Sequence, residues 1–203
     1  MGDAAGATRT VYSQTQRSAT VYPVAHKIKA VGRRAERTSN MIFGMSTSTF
    51  TCVHVVISLV GIGSGLIVAF GLLTARRLNA WTALFLLTTV ATSATGFGFP
   101  FTHLLPSHKV AILSMVVLLI AILARYAFHM AGAWRWAYVV TAMIALYLNV
   151  FVLVAQGFMK VKALKALAPT QSEPPFLLAQ VIVLVIFIVL TVFAVKKFHP
   201  EPA

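Results

Sequence analysis

Five apolar runs, each about as long as a bilayer is thick, constrain this chain more than any other feature. A helix rises about 1.5 Å per residue, so about 20 apolar residues cross a hydrocarbon core of roughly 30 Å. Runs of that length lie at about 52–73, 80–99, 110–131, 134–156 and 176–195. Lipid offers the backbone no hydrogen bonds, so each run must be helical. The expected fold is an all-α integral membrane protein, a bundle of about five transmembrane helices. Only 10% of residues are charged and 59% are hydrophobic. Soluble domains carry about 25% charged residues.

The first 50 residues differ. They hold Arg9, Arg17, Lys27, Lys29, Arg33, Arg34 and Arg37 against Asp3 and Glu36, with many Ser, Thr and Ala. No apolar period is sustained, which predicts a disordered basic tail. The same composition fits an organellar transit peptide, and it lacks the short apolar core of a secretory signal. A third reading is an over-long start, with Met45 as the working N-terminus just ahead of the first span.

The net charge is +13. Seven of the 17 lysines and arginines lie in that tail and the rest flank apolar runs. This is the pattern of membrane topology and headgroup contact, not of nucleic-acid binding. The expected partners are the lipid bilayer and other membrane protein subunits. The one cysteine, Cys52, excludes an intramolecular disulfide and a multi-cysteine cluster within one chain.

Five crossings put the termini on opposite faces. Call the N-terminal side face A. Face B then carries short links and ends with Arg76, Arg77, Arg135, Lys196 and Lys197, anchored by Trp81, Trp134 and Trp136. Face A carries the longer links 100–109 and 157–175, with Lys109, Lys160, Lys162, Lys165 and Glu173. Counting links alone makes face B the cytoplasmic side, and counting the whole tail reverses it. The short start is favoured, with face A periplasmic and the C-terminus cytoplasmic.

No Asp or Glu lies within a span. Proton relays through intramembrane carboxylates and di-iron bundles both need them. No HExxH helix is present either. Gly61 and Gly65 are four apart, on one face continued by Ser58 and His54, and small residues so spaced admit a neighbouring helix backbone. The second span adds Thr88, Thr89, Thr92, Ser93 and Thr95, fit for interhelical hydrogen bonds.

Three histidines converge on face A: His54 at the end of the first span, and His103 and His108 around the next face-A link. Imidazoles from separate helices at one depth can clamp a haem b or a metal, with His54 and His108 or His103 as ligands. Solvated or packing histidines are the plainer alternative. Asn149 and Gln156 fall on one stripe of the fourth span with Tyr138, Thr141 and Ala145. With Gln180 and the loop acid Glu173 they form a further candidate polar site, such as a ligand or quinone headgroup pocket. Interhelical hydrogen bonding explains the same residues. Arg125 lies about one turn inside face B, where it can snorkel to headgroups; the alternative is an internal partner or an anionic ligand. Prolines 169, 174 and 175 predict a defined 157–175 loop rather than a loose spacer. These features place any functional site on face A and leave face B as scaffold.

Two stretches, Leu148–Gln156 (LNVFVLVAQ) and Ala166–Gln180 (ALAPTQSEPPFLLAQ), resemble a family of small uncharacterised proteobacterial polytopic inner-membrane proteins. The resemblance covers about residues 52–195. It implies a cell inner membrane location and brings no catalytic residues. The expected role is a non-enzymatic accessory or assembly component. Alternatives are a haem b or metal-binding electron-transfer protein and a small transporter or channel. The last is disfavoured because no inverted repeat is visible.

Overall fold

The computed structural model describes residues 41–42, 44–98 and 106–199. The chain divides into two compact units, Met1–Phe50 and Thr51–Ala203. In the described part of the first, strand β1 (Met41–Ile42) pairs antiparallel with β2 (Met45–Ser46). Gly44 turns the hairpin at φ +79°, in the left-handed region that suits glycine. Helix α1 then starts at Thr47. Ser46 caps it, its hydroxyl oxygen accepting the Thr49 N–H at 3.1 Å. The serine-led start brings helix five residues earlier than the apolar run alone indicates.

The long helices follow from the apolar runs. They are α1 (Thr47–Leu73), α2 (Asn79–Gly96), α3 (Pro106–Ile122) with one wider π turn at Leu123–Ala127, α4 (Trp134–Lys160) and α6 (Pro174–Lys197). A short α5 (Lys162–Leu167) interrupts the link between α4 and α6. Proline opens α3 and α6, where its fixed φ suits the first turn and its missing N–H costs nothing. Ala75, at φ 56°, ends α1, and the Arg76 N–H returns to the Gly71 carbonyl at 2.8 Å.

Among the described residues, four helical stretches are long and apolar enough to cross a membrane: Thr47–Leu73, His108–Ala127, Trp134–Lys160 and Pro174–Lys197. Helix α2 is the exception. Its 18 residues include five threonines and serines before Thr95 and Gly96, which dilute its apolar character. Yet its inward face is fully packed: Thr82, Phe85, Leu86, Thr89 and Ser93 are buried.

Helix α4 is the centre of the helical unit. It packs on α3 and α6 and supplies Tyr138, Val139, Ala142, Met143, Ala145 and Leu146 to the core. Around these sit Val68, Ala69 and Leu72 of α1, Phe85 and Leu86 of α2, Val117, Leu118 and Ala121 of α3, and Phe187 and Ala194 of α6. The outer helix is α6, with only 17% of its apolar window buried against 50% for α4. A smaller cluster closes the other end of α4. There Phe158 meets Phe176 edge to face, with ring centres 5.4 Å apart, beside Leu164 and Ala168.

Candidate functional site

The glycine face of α1 meets two helices. A Cβ on Gly61 would lie 3.2 Å from Thr88 Oγ1 and 3.7 Å from Asn149 Nδ2. One on Gly65 would lie 2.5 Å from Leu146 and 2.9 Å from the Phe85 ring. Small residues there let α2 and α4 approach closely. One turn beyond Ser58, His54 Nδ1 lies 2.8 Å from Thr95 Oγ1. That hydroxyl donates its proton to the Ala91 carbonyl at 2.7 Å, so it can only accept from the imidazole. His54 therefore carries its proton on Nδ1 in this bond.

His108 is buried at the start of α3, its ring 6.0 Å from that of Phe97. Thr95 and Phe97 are two residues apart, about 200° around a helix. His54 is thus placed against Thr95 and His108 against Phe97 at the end of α2. His103 lies outside the described residues. Among the described residues, no group of three or more His, Cys, Asp or Glu is placed to hold a metal ion.

The α4 stripe divides. Tyr138, Thr141 and Ala145 are buried, and Asn149, half-buried, donates to Thr89 Oγ1 at 3.2 Å. Gln156 is exposed, a departure from the inward position that the stripe predicts. The cause is local. Past Asn149, α4 is covered by α5 and the start of α6 through Val154, Ala155 and Phe158, and Gln156 falls on the opposite side. Gln180 is buried, and its Nε2 donates to the Phe151 carbonyl at 3.2 Å. Its Oε1 has no hydrogen-bond partner.

Glu173 does not join this group. It precedes α6, and Oε1 accepts the Thr170 N–H at 3.0 Å and the Thr170 hydroxyl at 2.9 Å. Oε2 accepts the Ser172 N–H at 3.1 Å. Desolvation pushes its pKa up, but these hydrogen bonds outweigh it and hold the carboxyl below its ordinary value. Gln171, left-handed at φ 60°, donates to the Ala155 carbonyl at 2.9 Å. The link is a folded loop pinned to α4, as its prolines predict.

At the other end of the bundle, Arg125 corrects the snorkelling expectation. It is 8% exposed and turns inward, donating to Asn79 Oδ1 at 2.7 Å. Its guanidinium carbon lies 5.1 Å from the centre of the Tyr138 ring, within cation–π range. Tyr138 in turn reaches Thr82 Oγ1 at 3.5 Å. Arg135 ties this end shut by donating to the Phe198 carbonyl at 2.8 Å. The signal was present in the sequence. Ser114, Leu118, Ala121 and Arg125 are spaced by four, three and four residues, one helix stripe, and all four are buried. Depth along the span suggested an exit to headgroups, whereas the stripe points Arg125 at the core.

Helix α2 is the hub of these polar contacts. Besides Thr95, Thr89 and Thr82, its Ser93 donates to Ser114 Oγ of α3 at 3.1 Å. Each hydroxyl sits where another helix needs a partner. In comparisons with family models, curated proteins and solved structures, nothing matches this chain.

Proposed function

We propose that the chain is an integral membrane protein of a bacterial inner membrane, crossing it five times and acting as a non-enzymatic accessory or assembly component. The observation that carries this reading is the sorting of its side chains. The outward faces of α1, α3 and α6 present large apolar residues, among them Val56, Leu66, Phe70, Val116, Leu119, Leu178, Val181 and Ile188. Several inward polar groups of α1–α4 meet in helix–helix hydrogen bonds: His54–Thr95, Asn149–Thr89, Ser93–Ser114 and Arg125–Asn79. Water does not tolerate the first feature over so large an area, and lipid demands the second.

Helix α2 is the fifth crossing on this reading, with the hydroxyls of Thr82, Thr89, Ser93 and Thr95 supplied with partners by neighbouring helices. Arg76, Arg77, Arg135, Lys196 and Lys197 gather at one end, which supports a cytoplasmic position for that end and the C-terminus. Helix α6 offers the widest free surface to another membrane subunit.

Native membranes test the proposal. The chain should stay in the pellet after alkaline carbonate extraction, and a C-terminal tag should be reached only from the cytoplasmic side. Photo-crosslinkers at Val181 and Ile188 should trap another membrane protein while one at the buried Phe187 does not. Release by carbonate would overturn the membrane assignment. Purification as a lone monomer with turnover of its own would overturn the accessory role.

A further inference from the structure

Arg125 is a full positive charge that is buried with no carboxylate against it among the described residues. Its neighbours are a neutral amide (Asn79), the Met130 thioether at 3.7 Å from Nη1, and the Tyr138 and Tyr126 rings. The chain has four acids, and Glu173 alone is among the described residues. It precedes α6, while Arg125 lies by Tyr138, which packs on Phe198 at the far end of that helix. The 24 residues between them span about 36 Å. A buried guanidinium whose described partners are all neutral calls for an anion. Two of its five N–H donors are engaged by Asn79 and Met130.

A second arginine lies close in the chain to the Asn79 that holds Arg125. Arg77 lies two residues before Asn79 in the turn between α1 and α2, and its buried Nε has no hydrogen-bond partner. The backbone is shaped around the site as well. The π turn at Leu123–Ala127 is followed by His129 and Met130, both left-handed at φ 49° and 59°. The Met130 N–H reaches the Ala124 carbonyl at 2.8 Å, which folds the chain back and brings the Met130 sulfur onto Arg125. Consecutive left-handed residues other than glycine are strained, and such strain gathers at ligand clamps.

We propose that Arg125 and Arg77 form a phosphate-binding site for the headgroup of an anionic phospholipid. This rests on the membrane reading above. Exposed Trp81, Trp134 and Trp136 mark this end as the headgroup level. The guanidinium fork matches two phosphate oxygens, and exposed Arg76, Lys196 and Lys197 raise the local concentration of anionic lipid. A free phosphate ion presents the same oxygens, so the test separates the two sources.

The full chain, delipidated in a neutral detergent, is unfolded by heat with phosphatidylglycerol, with phosphatidylcholine of the same acyl chains, or with sodium phosphate. Phosphatidylglycerol should raise the melting temperature and phosphatidylcholine should not. In Arg77→Gln the half-saturating lipid concentration should rise about tenfold, the effect of one lost charge-assisted hydrogen bond. Arg125→Gln should lose the response, and Arg125→Lys should keep part of it. Equal responses to the two lipids, or a wild-type response in Arg77→Gln, would overturn the site. Arg77→Gln decides the matter if Arg125→Gln fails to fold, because Arg77 lies in the turn between α1 and α2 and is only half-buried. Full protection by sodium phosphate alone would overturn the lipid source. A chain that resists carbonate extraction yet shows no lipid preference refutes this site and leaves the membrane assignment intact.

Discussion

At Gly65 an added Cβ falls 2.5 Å from Leu146 Cδ1 and 2.9 Å from two Phe85 ring carbons, while at Gly63 nothing lies within 4 Å. Leu146 and Phe85 are themselves buried, so neither side chain has open space to move into. Gly65→Ala should therefore destabilise the bundle by about 1–3 kcal/mol. Gly63→Ala should be neutral or slightly stabilising, because alanine is the better helix former. Unfolding of the detergent-solubilised protein measures both, and equal losses at the two positions would refute the close approach. The glycine spacing made this face legible in the sequence. The partners of His54 and Arg125 were not, since which hydroxyl or amide a side chain meets depends on how each helix is rotated about its axis. Sequence depth placed His54 and His108 at one level, and the structure sets them against different residues at the end of α2, Thr95 and Phe97.

Among the elements, the apolar runs marked the long helices, and the ends moved for local reasons. Ser46 starts α1 early, α4 continues to Lys160 past the expected Gln156, and the π turn with His129 and Met130 ends α3 before Ala131. The six residues of α5 carry too little periodicity to stand out. The loop before α6 makes its own prediction. Its order rests on an ionised Glu173, whose folded pKa lies below the ordinary value. The stabilisation is complete above the ordinary carboxyl pKa and is lost as the pH falls through the lower folded value. Amide exchange at Thr170 and Ser172 should accelerate over that acidic window, and Glu173→Gln should show the fast rates already at neutral pH. If exchange at those amides ignored both acid and substitution, the carboxylate would not be what orders the loop.

The helical unit as a whole is organised by α4 inside and α6 outside, a division that hydrophobicity alone does not reveal because both runs are apolar throughout. The polar pattern does reveal it. The stripe from Tyr138 to Asn149 marks a helix with neighbours around it, whereas α6 has Gln180 and Thr191 as its polar residues between the prolines and the terminal lysines. The same contrast bears on how the chain is made. Helix α6 is apolar enough to leave a translocon for lipid on its own, and α2 is not. The hydroxyls of Thr82, Thr89, Ser93 and Thr95 gain their interhelical partners only after α3, α4 and α1 are beside them. In a reporter assay of membrane integration, α6 alone should insert efficiently and α2 alone poorly, with α2 rescued when α1 and α3 flank it. Efficient insertion of isolated α2 would count against this dependence. On the five-crossing reading, biogenesis would have a built-in waiting step, with α2 retained near the translocon until later segments arrive to receive it.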